Sequence, residues 1–227
     1  MTTALVILNR NDVSGLKFLY DKIPFKLLDE CIVVDGQSKD GSIEFCKAQG
    51  LTFYIQEKLG RGSASRYAAQ NVKSDNIIFF SSDGNEDPED IPKFINMFND
   101  GYDMVIASRN TDKSVYKEKG NLIPHRFIAL KLFTSLVNII WNGNLTDVWN
   151  GYRGFNRKKL ILLNTTADGF LIEAQQSIRA LKKNYKMGEF STNEMNRISG
   201  ESQNPIFITG LRHIILLIKE IWIGSKF

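Results

Sequence analysis

Five short runs of apolar, β-favouring residues recur in the first half of the chain: "ALVIL" (4–8), "CIVVD" (31–35), "LTFYI" (51–55), "NIIFF" (76–80) and "DMVIA" (103–107). Between them, residues 13–23, 39–49, 62–73 and 88–99 have helical spacing. Short runs without strict alternation, separated by helices, suit strands covered on both faces, as in a parallel sheet. Residues 1 to about 108 therefore read as an open α/β sheet, whose ligands sit at the carboxyl ends of its strands. Asp12, Asp35 and Asp83 lie just past such ends.

The pattern then changes. Residues 110–121 are polar and charged and read as a mobile loop, followed by a strongly apolar helix over 123–141. Short strands are expected at 151–155 and 185–190, with a helix over 169–184 between them. Residues 205–222 form a last, very apolar helix interrupted by Arg212, His213, Lys219 and Glu220, which argue against a transmembrane span. Such a helix can cap the core, pack on a partner or lie in a membrane interface. Cys31 and Cys46 lack metal-ligand spacing and read as reduced thiols of a cytoplasmic protein, and secretion is not expected, because "MTTALVILNRND" lacks a basic start followed by a signal-length apolar run.

Charge divides the chain. Residues 1–112 hold 12 Lys+Arg against 17 Asp+Glu, a balance of −5; residues 113–227 hold 17 against 8, a balance of +9. The basic half suits phosphates or an anionic membrane. Nucleic acid is not expected, because the basic residues lack interleaved stacking aromatics.

One stretch, "FFSSDGNEDPED" (79–90), packs five acids into eight positions. A calcium loop starting at Asp83 would need Gly and Glu where Pro88 and Phe94 stand. No Walker-type phosphate loop occurs, and "GRGSAS" (60–65) has only two of the dinucleotide glycines. Two readings remain: Asp83 and Asn85 offering two oxygens to a hard cation, or an acidic helix entry without metal.

This loop has company. "VVDGQSKDGSIEF" (33–45), "GRGSASRYAAQN" (60–71), the acidic loop, "VIASR" (105–109), "DVWNGYRGFNR" (147–157), "GFLIEAQ" (169–175) and "RISGES" (197–202) follow in order. Together they resemble family 2 glycosyltransferases with a GT-A fold, especially the dolichol-phosphate mannose synthase-like branch. The resemblance spans Ala4 to about Ser202. It implies a Rossmann-like, mostly parallel sheet flanked by helices, in one domain over 1–227. That domain would have a nucleotide-sugar half (1–108), an acceptor half (109–204) with acceptor-side helices, and a C-terminal apolar helix (205–227).

The resemblance also implies roles. Asn11, Asp12, Asp35, Gly60, Arg61, Ser82 and Asp83 would bind the donor nucleotide, although the family's proline is missing from the turn Leu8–Asp12. Asp83 and Asn85 would hold Mg²⁺ or Mn²⁺; the family's first motif aspartate is here Ser81. Glu86, Asp87, Glu89 and Asp90 would shape and start the next helix. Arg109, Arg153, Arg197 and Ser202 would meet acceptor or phosphate, and Asp147, Glu173 and Arg153 would be catalytic. The implied reaction moves a hexose, with inversion, from a nucleoside diphosphate sugar to a polyprenyl phosphate. A saccharide acceptor in cell-surface glycan synthesis and a non-catalytic nucleotide-sugar-binding protein are the competing readings. The expected location is cytoplasmic, peripheral at the inner face of the membrane, and a homodimer is a further expectation.

Overall fold

All five early apolar runs form strands, with helices between them as the spacing predicts. The computed structural model describes residues 1–111, 124–198 and 206–227. The expected loop at 110–121 lies, beyond Thr111, outside the described residues, as does Ser202. The chain runs β1 (Thr3–Asn9), α1 (Val13–Tyr20), β2 (Glu30–Asp35), α2 (Ser42–Ala48), β3 (Thr52–Ile55) and α3 (Arg61–Asn71). It continues through β4 (Asn76–Ser81), α4 (Ile91–Asn99), β5 (Met104–Ser108) and α5 (Pro124–Trp141). β6 (Arg153–Asn156), α6 (Arg157–Leu162), α7 (Ile172–Lys182), β7 (Met187–Ser191) and α8 (Ile206–Ile223) complete it.

The seven strands form one sheet in the order β3-β2-β1-β4-β6-β5-β7. β1 pairs in parallel with β2 and β4, and β5 pairs in parallel with β7. Among the described residues, only β6 runs against its neighbours, β4 and β5. Strands from the basic half thus enter the sheet begun by the acidic half.

Side chains alternate between two cores, as the two-residue period of a strand requires. Ala4, Val6, Ile77 and Phe79 face α3, α5 and α7, while Leu5, Ile7, Ile78 and Phe80 face α1 and α4. Burial on both faces explains why β4, "NIIFFS", shows no polar alternation in the sequence.

α8 is held by charge as well as apolar contact. Glu220 is fully buried and accepts from Arg179 at 3.0 Å, Lys182 at 2.7 Å and Gln175 at 2.8 Å, all on α7. Two of the four polar interruptions of this helix, His213 and Glu220, therefore point inward, and Arg212 and Lys219 point outward. Among the described residues, no helix is long and apolar enough to cross a membrane.

Candidate functional site

β4 delivers the acidic loop to the carboxyl end of the sheet. Past Ser81 the chain turns at Gly84, whose φ of +77° lies in the left-handed region that favours glycine. This turn sets Asp83 and Asn85 on a cavity of about 180 Å³. Asn85 is pinned by its backbone carbonyl, which accepts from Met195 N–H at 2.8 Å, and its side-chain NH₂ faces Glu194 at 3.3 Å. Its side-chain oxygen is buried and has no hydrogen-bond partner. Asp83 is paired with Arg197 at 3.4 Å, and its backbone carbonyl accepts from Ile198 N–H at 2.9 Å. Residues 194–198 thus lie against the acidic loop.

The other four acids of the run divide. Asp87 accepts from Glu89 N–H at 3.0 Å, and Asp90 binds Thr192 and Lys93, so these shape the entry to α4 as expected. Glu86 does not. It is buried, lines the cavity and reaches back to accept from Ser81 N–H at 2.6 Å and Ser81 Oγ at 3.2 Å. Burial, then the charge of Asp83, pushes its carboxyl up to about 8. Glu86 thereby brings a carboxyl group back beside position 81.

Three arginines line the same cavity. Gly60, at φ +123°, opens α3 and brings Arg61 to the site, where its Nε donates to Glu173 at 2.8 Å and Nη1 reaches Ser81 Oγ at 3.5 Å. Burial works against the Arg61 charge, but Glu173, Glu86 and Asp83 hold its pKa above the ordinary value. Arg109 follows β5 and makes a two-pronged contact with Asp147, at 2.7 and 3.1 Å. Arg197 completes the set. Glu173, at the start of α7, leaves its second oxygen buried and without a partner.

α5 and α8 close one side through Leu130 and His213. The His213 ring packs on Trp149 at 4.7 Å and Phe133 at 5.4 Å. Its Nδ1 lies 2.8 Å from the Thr209 carbonyl, which can only accept, so Nδ1 carries the proton. Burial pushes the ring's pKa down, against the pull of that carbonyl.

Two expected catalytic residues are corrected by burial. Arg153 is 1% exposed, and its guanidinium donates to the carbonyls of Asn150, Glu173 and Val148 and to Ser177 Oγ. It bolts β6 to α7 and has no free face for an acceptor; burial brings its pKa down to about 10. Asp147 is fully buried and accepts from Arg109 and from the N–H groups of Trp149 and Asn150, so it orients Arg109.

Of the expected nucleotide residues, Arg61 and Asp83 line the cavity, whereas Asn11, Asp12 and Asp35 gather at the neighbouring strand ends, outside it. Asp35 is buried and accepts from Asn9 Nδ2, Ser38 Oγ and Ser38 N–H, each at 2.7 Å. Asn11 is at φ +51° and accepts from Lys39 N–H at 2.8 Å. Asp12 caps α1 by accepting from Gly15 N–H at 3.1 Å and meets Ser82 Oγ at 3.4 Å. In this cluster the acceptor left without a partner is Asn9 Oδ1. Asn9, Glu86, Glu194, Trp149 and His213 are the site residues that sequence reasoning missed. Glu86 and Trp149 stand inside the quoted motifs without a cavity role there, and Asn9, Glu194 and His213 stand in none of them.

A divalent cation fits the donor set. Asp83 and the orphaned Asn85 Oδ1 are hard oxygen donors on one loop, facing a cavity that arginines make receptive to phosphate. Among the described residues no group of three or more His, Cys, Asp or Glu could hold a metal, so phosphate and water oxygens would complete the shell.

A model of the family described as "Glycosyl transferase family 2" matches residues 16–162. Glycosyltransferase AglJ of Haloferax volcanii is 26% identical over 76% of this chain and 56% of its own length. Low-salt glycan biosynthesis hexosyltransferase Agl6 of the same organism is 25% identical over 96% of this chain and 53% of its own. The chain thus spans about half the length of these two relatives. Dolichyl-phosphate hexose transferase, also of Haloferax volcanii, is 27% identical over 80% of this chain and 76% of its own. Glucosyl-3-phosphoglycerate synthase from Mycobacterium tuberculosis, in complex with Mn²⁺, uridine diphosphate and glucosyl-3-phosphoglycerate, superposes with a TM-score of 0.72. It is 18% identical, over 96% of this chain and 79% of that one. That likeness establishes the shared GT-A fold.

Proposed function

The chain belongs to glycosyltransferase family 2, and on that premise we propose that it transfers a hexose, with inversion, from a nucleoside diphosphate sugar to a polyprenyl phosphate. One observation carries the reading: a single cavity brings the orphaned Asn85 oxygen and Asp83 together with Arg61, Arg109 and Arg197. Oxygen donors beside guanidinium groups in one cavity suit a diphosphate that leaves as an anion.

A Mg²⁺ or Mn²⁺ ion bound by Asp83 and Asn85 would neutralise charge growing on the departing diphosphate. Arg61, oriented by Glu173, and Arg109, oriented by Asp147, present fixed donors to phosphate oxygens. Asn9 Oδ1, at the end of β1, is the acceptor available to a nucleobase N–H. A phosphate acceptor is already anionic and attacks without a strong base, which agrees with the absence of a free carboxylate at Asp147. Support for a lipid phosphate also comes from the similarity to a dolichyl-phosphate hexose transferase.

A second reading has its own observation. The unpartnered Glu173 oxygen can take a proton from a saccharide hydroxyl, as a glycan-building enzyme requires. Nucleoside diphosphate hexoses, Mn²⁺ and either undecaprenyl phosphate or soluble saccharides should be compared as substrates of the purified protein. Label in the organic phase is the expected result. Transfer to soluble saccharides with none to the lipid would overturn the first reading in favour of the second.

A further inference from the structure

Trp149 and His213 wall the cavity but belong neither to its oxygen donors nor to its arginines. Trp149 stands in the loop before β6, two residues past Asp147, and His213 stands on α8. The family model ends at residue 162, so His213 lies beyond what that model describes. The two rings pack at 4.7 Å, and each also lies against Phe133 of α5, at 5.3 and 5.4 Å. Mutual packing of this kind fixes the rings before a ligand arrives.

Each ring leaves one nitrogen, Trp149 Nε1 and His213 Nε2, buried and without a hydrogen-bond partner among the described residues. A buried indole N–H ordinarily finds an acceptor, and leaving one unmade costs free energy. The two orphans are opposite in kind. An indole nitrogen can only donate. His213 Nδ1–H donates to the Thr209 carbonyl at 2.8 Å, so Nε2 of the neutral ring can only accept. The Phe170 carbonyl also faces the ring, and as an acceptor it has no proton to supply. A donor and an acceptor on adjoining rings call for a group that does both, and a hydroxyl is such a group.

The reactants narrow its source. A polyprenyl phosphate brings a phosphate and a hydrocarbon chain but no hydroxyl, whereas the hexose brings several. The ribose travels with the nucleobase toward Asn9, which is not part of the cavity lining. We propose that Trp149 Nε1–H and His213 Nε2 hold one hydroxyl of the transferred hexose and select the sugar by it. The assignment rests on the proposed hexose transfer. Asp147 accepts from Trp149 N–H at 3.1 Å and grips Arg109, so the ring that reads the sugar and the guanidinium that meets phosphate hang from one carboxylate. A hexose without that hydroxyl leaves both nitrogens unpaired and is rejected for it.

The test is calorimetric binding to the full chain, with Mn²⁺ and no acceptor present. The probes are UDP-glucose, GDP-mannose, UDP, GDP and each monodeoxy form of whichever hexose binds. One monodeoxy form should bind the wild-type chain about tenfold more weakly than its parent, the scale of one hydrogen bond. Trp149→Phe keeps a ring and removes the N–H. It should cost about tenfold for the parent, nothing further for that deoxy form, and nothing for UDP or GDP. A wild-type chain that binds every deoxy form like the parent overturns the proposal. So does a Trp149→Phe loss that is equal for all forms or extends to the nucleoside diphosphate alone, which marks a structural role. If no nucleoside diphosphate binds, the donor reading itself falls and takes the proposal with it. Methyl glucoside that binds the nucleotide-loaded chain but not Trp149→Phe would overturn the assignment by giving the hydroxyl to a saccharide acceptor.

Discussion

Asp35, at the end of β2, and Glu173, at the start of α7, are both buried carboxylates, yet Asp35 accepts three hydrogen bonds and Glu173 leaves one oxygen with none. The same contrast separates their surroundings. Around Asp35, Asn11 and Ser38 complete a closed turn. Around Glu173, the cavity leaves Asn85 Oδ1 and Trp149 Nε1 without partners as well. A carboxylate satisfied in this way fixes backbone shape, with Asn9 Oδ1 left open beside it, whereas buried groups left unmade cost free energy that a ligand can recover. Two carboxylates alike in burial are therefore suited to different work.

The largest test of this contrast is Asp83→Ala. Turnover should fall about 10²–10³-fold, the scale of a lost transition-state contact, and the Mn²⁺-dependent part of any thermal shift with donor should vanish. An unchanged shift would remove Asp83 from the metal site. Glu173→Gln comes next: about 10²-fold on a saccharide acceptor, on the general-base scale, and much less on a lipid phosphate. Equal losses on both acceptors would leave Glu173 as the anchor of Arg61 alone.

Asp35→Ala should act on folding, costing about 1–3 kcal/mol in urea denaturation because it strands the Asn9 and Ser38 donors. Normal stability with lost donor binding would move Asp35 into the open class. The smallest effect belongs to His213, whose folded pKa lies below its unfolded value. As pH falls, the unfolded chain takes up the proton first, so stability is complete above about pH 6.5 and declines below it, by at most about 1.4 kcal/mol per pH unit. His213→Leu should flatten that part of the melting profile between pH 7.5 and 5.5.

The sheet was legible because its strands are apolar on both faces and too short to be anything else, and helices fall between them. The motif order pointed to the family, and Asp83, Asn85, Arg61, Arg109, Arg197 and Glu173 do share one cavity. The roles of Arg153 and Asp147 were not legible. An arginine that binds phosphate and one that ties carbonyls inside a core have the same local sequence, and only the packing of β6 on α7 separates them. Glu86 was hidden for another reason. Four acids among residues 86–90 read as a dipole-matched helix entry, and nothing local says that one of them folds back to Ser81.

Arg61 and Arg109 are each gripped by a carboxylate, Glu173 and Asp147, before any ligand arrives. A long, flexible side chain ordinarily surrenders about 0.5–1.5 kcal/mol of rotamer freedom on being immobilised in a complex. Here that freedom is already lost during folding, so a phosphate meets guanidinium groups whose positions are settled. Arg109→Lys would keep the charge but lose the second prong to Asp147, and with it the stillness of the group. In this site, entropy is spent on the way to the native state, and binding is left with less disorder to remove.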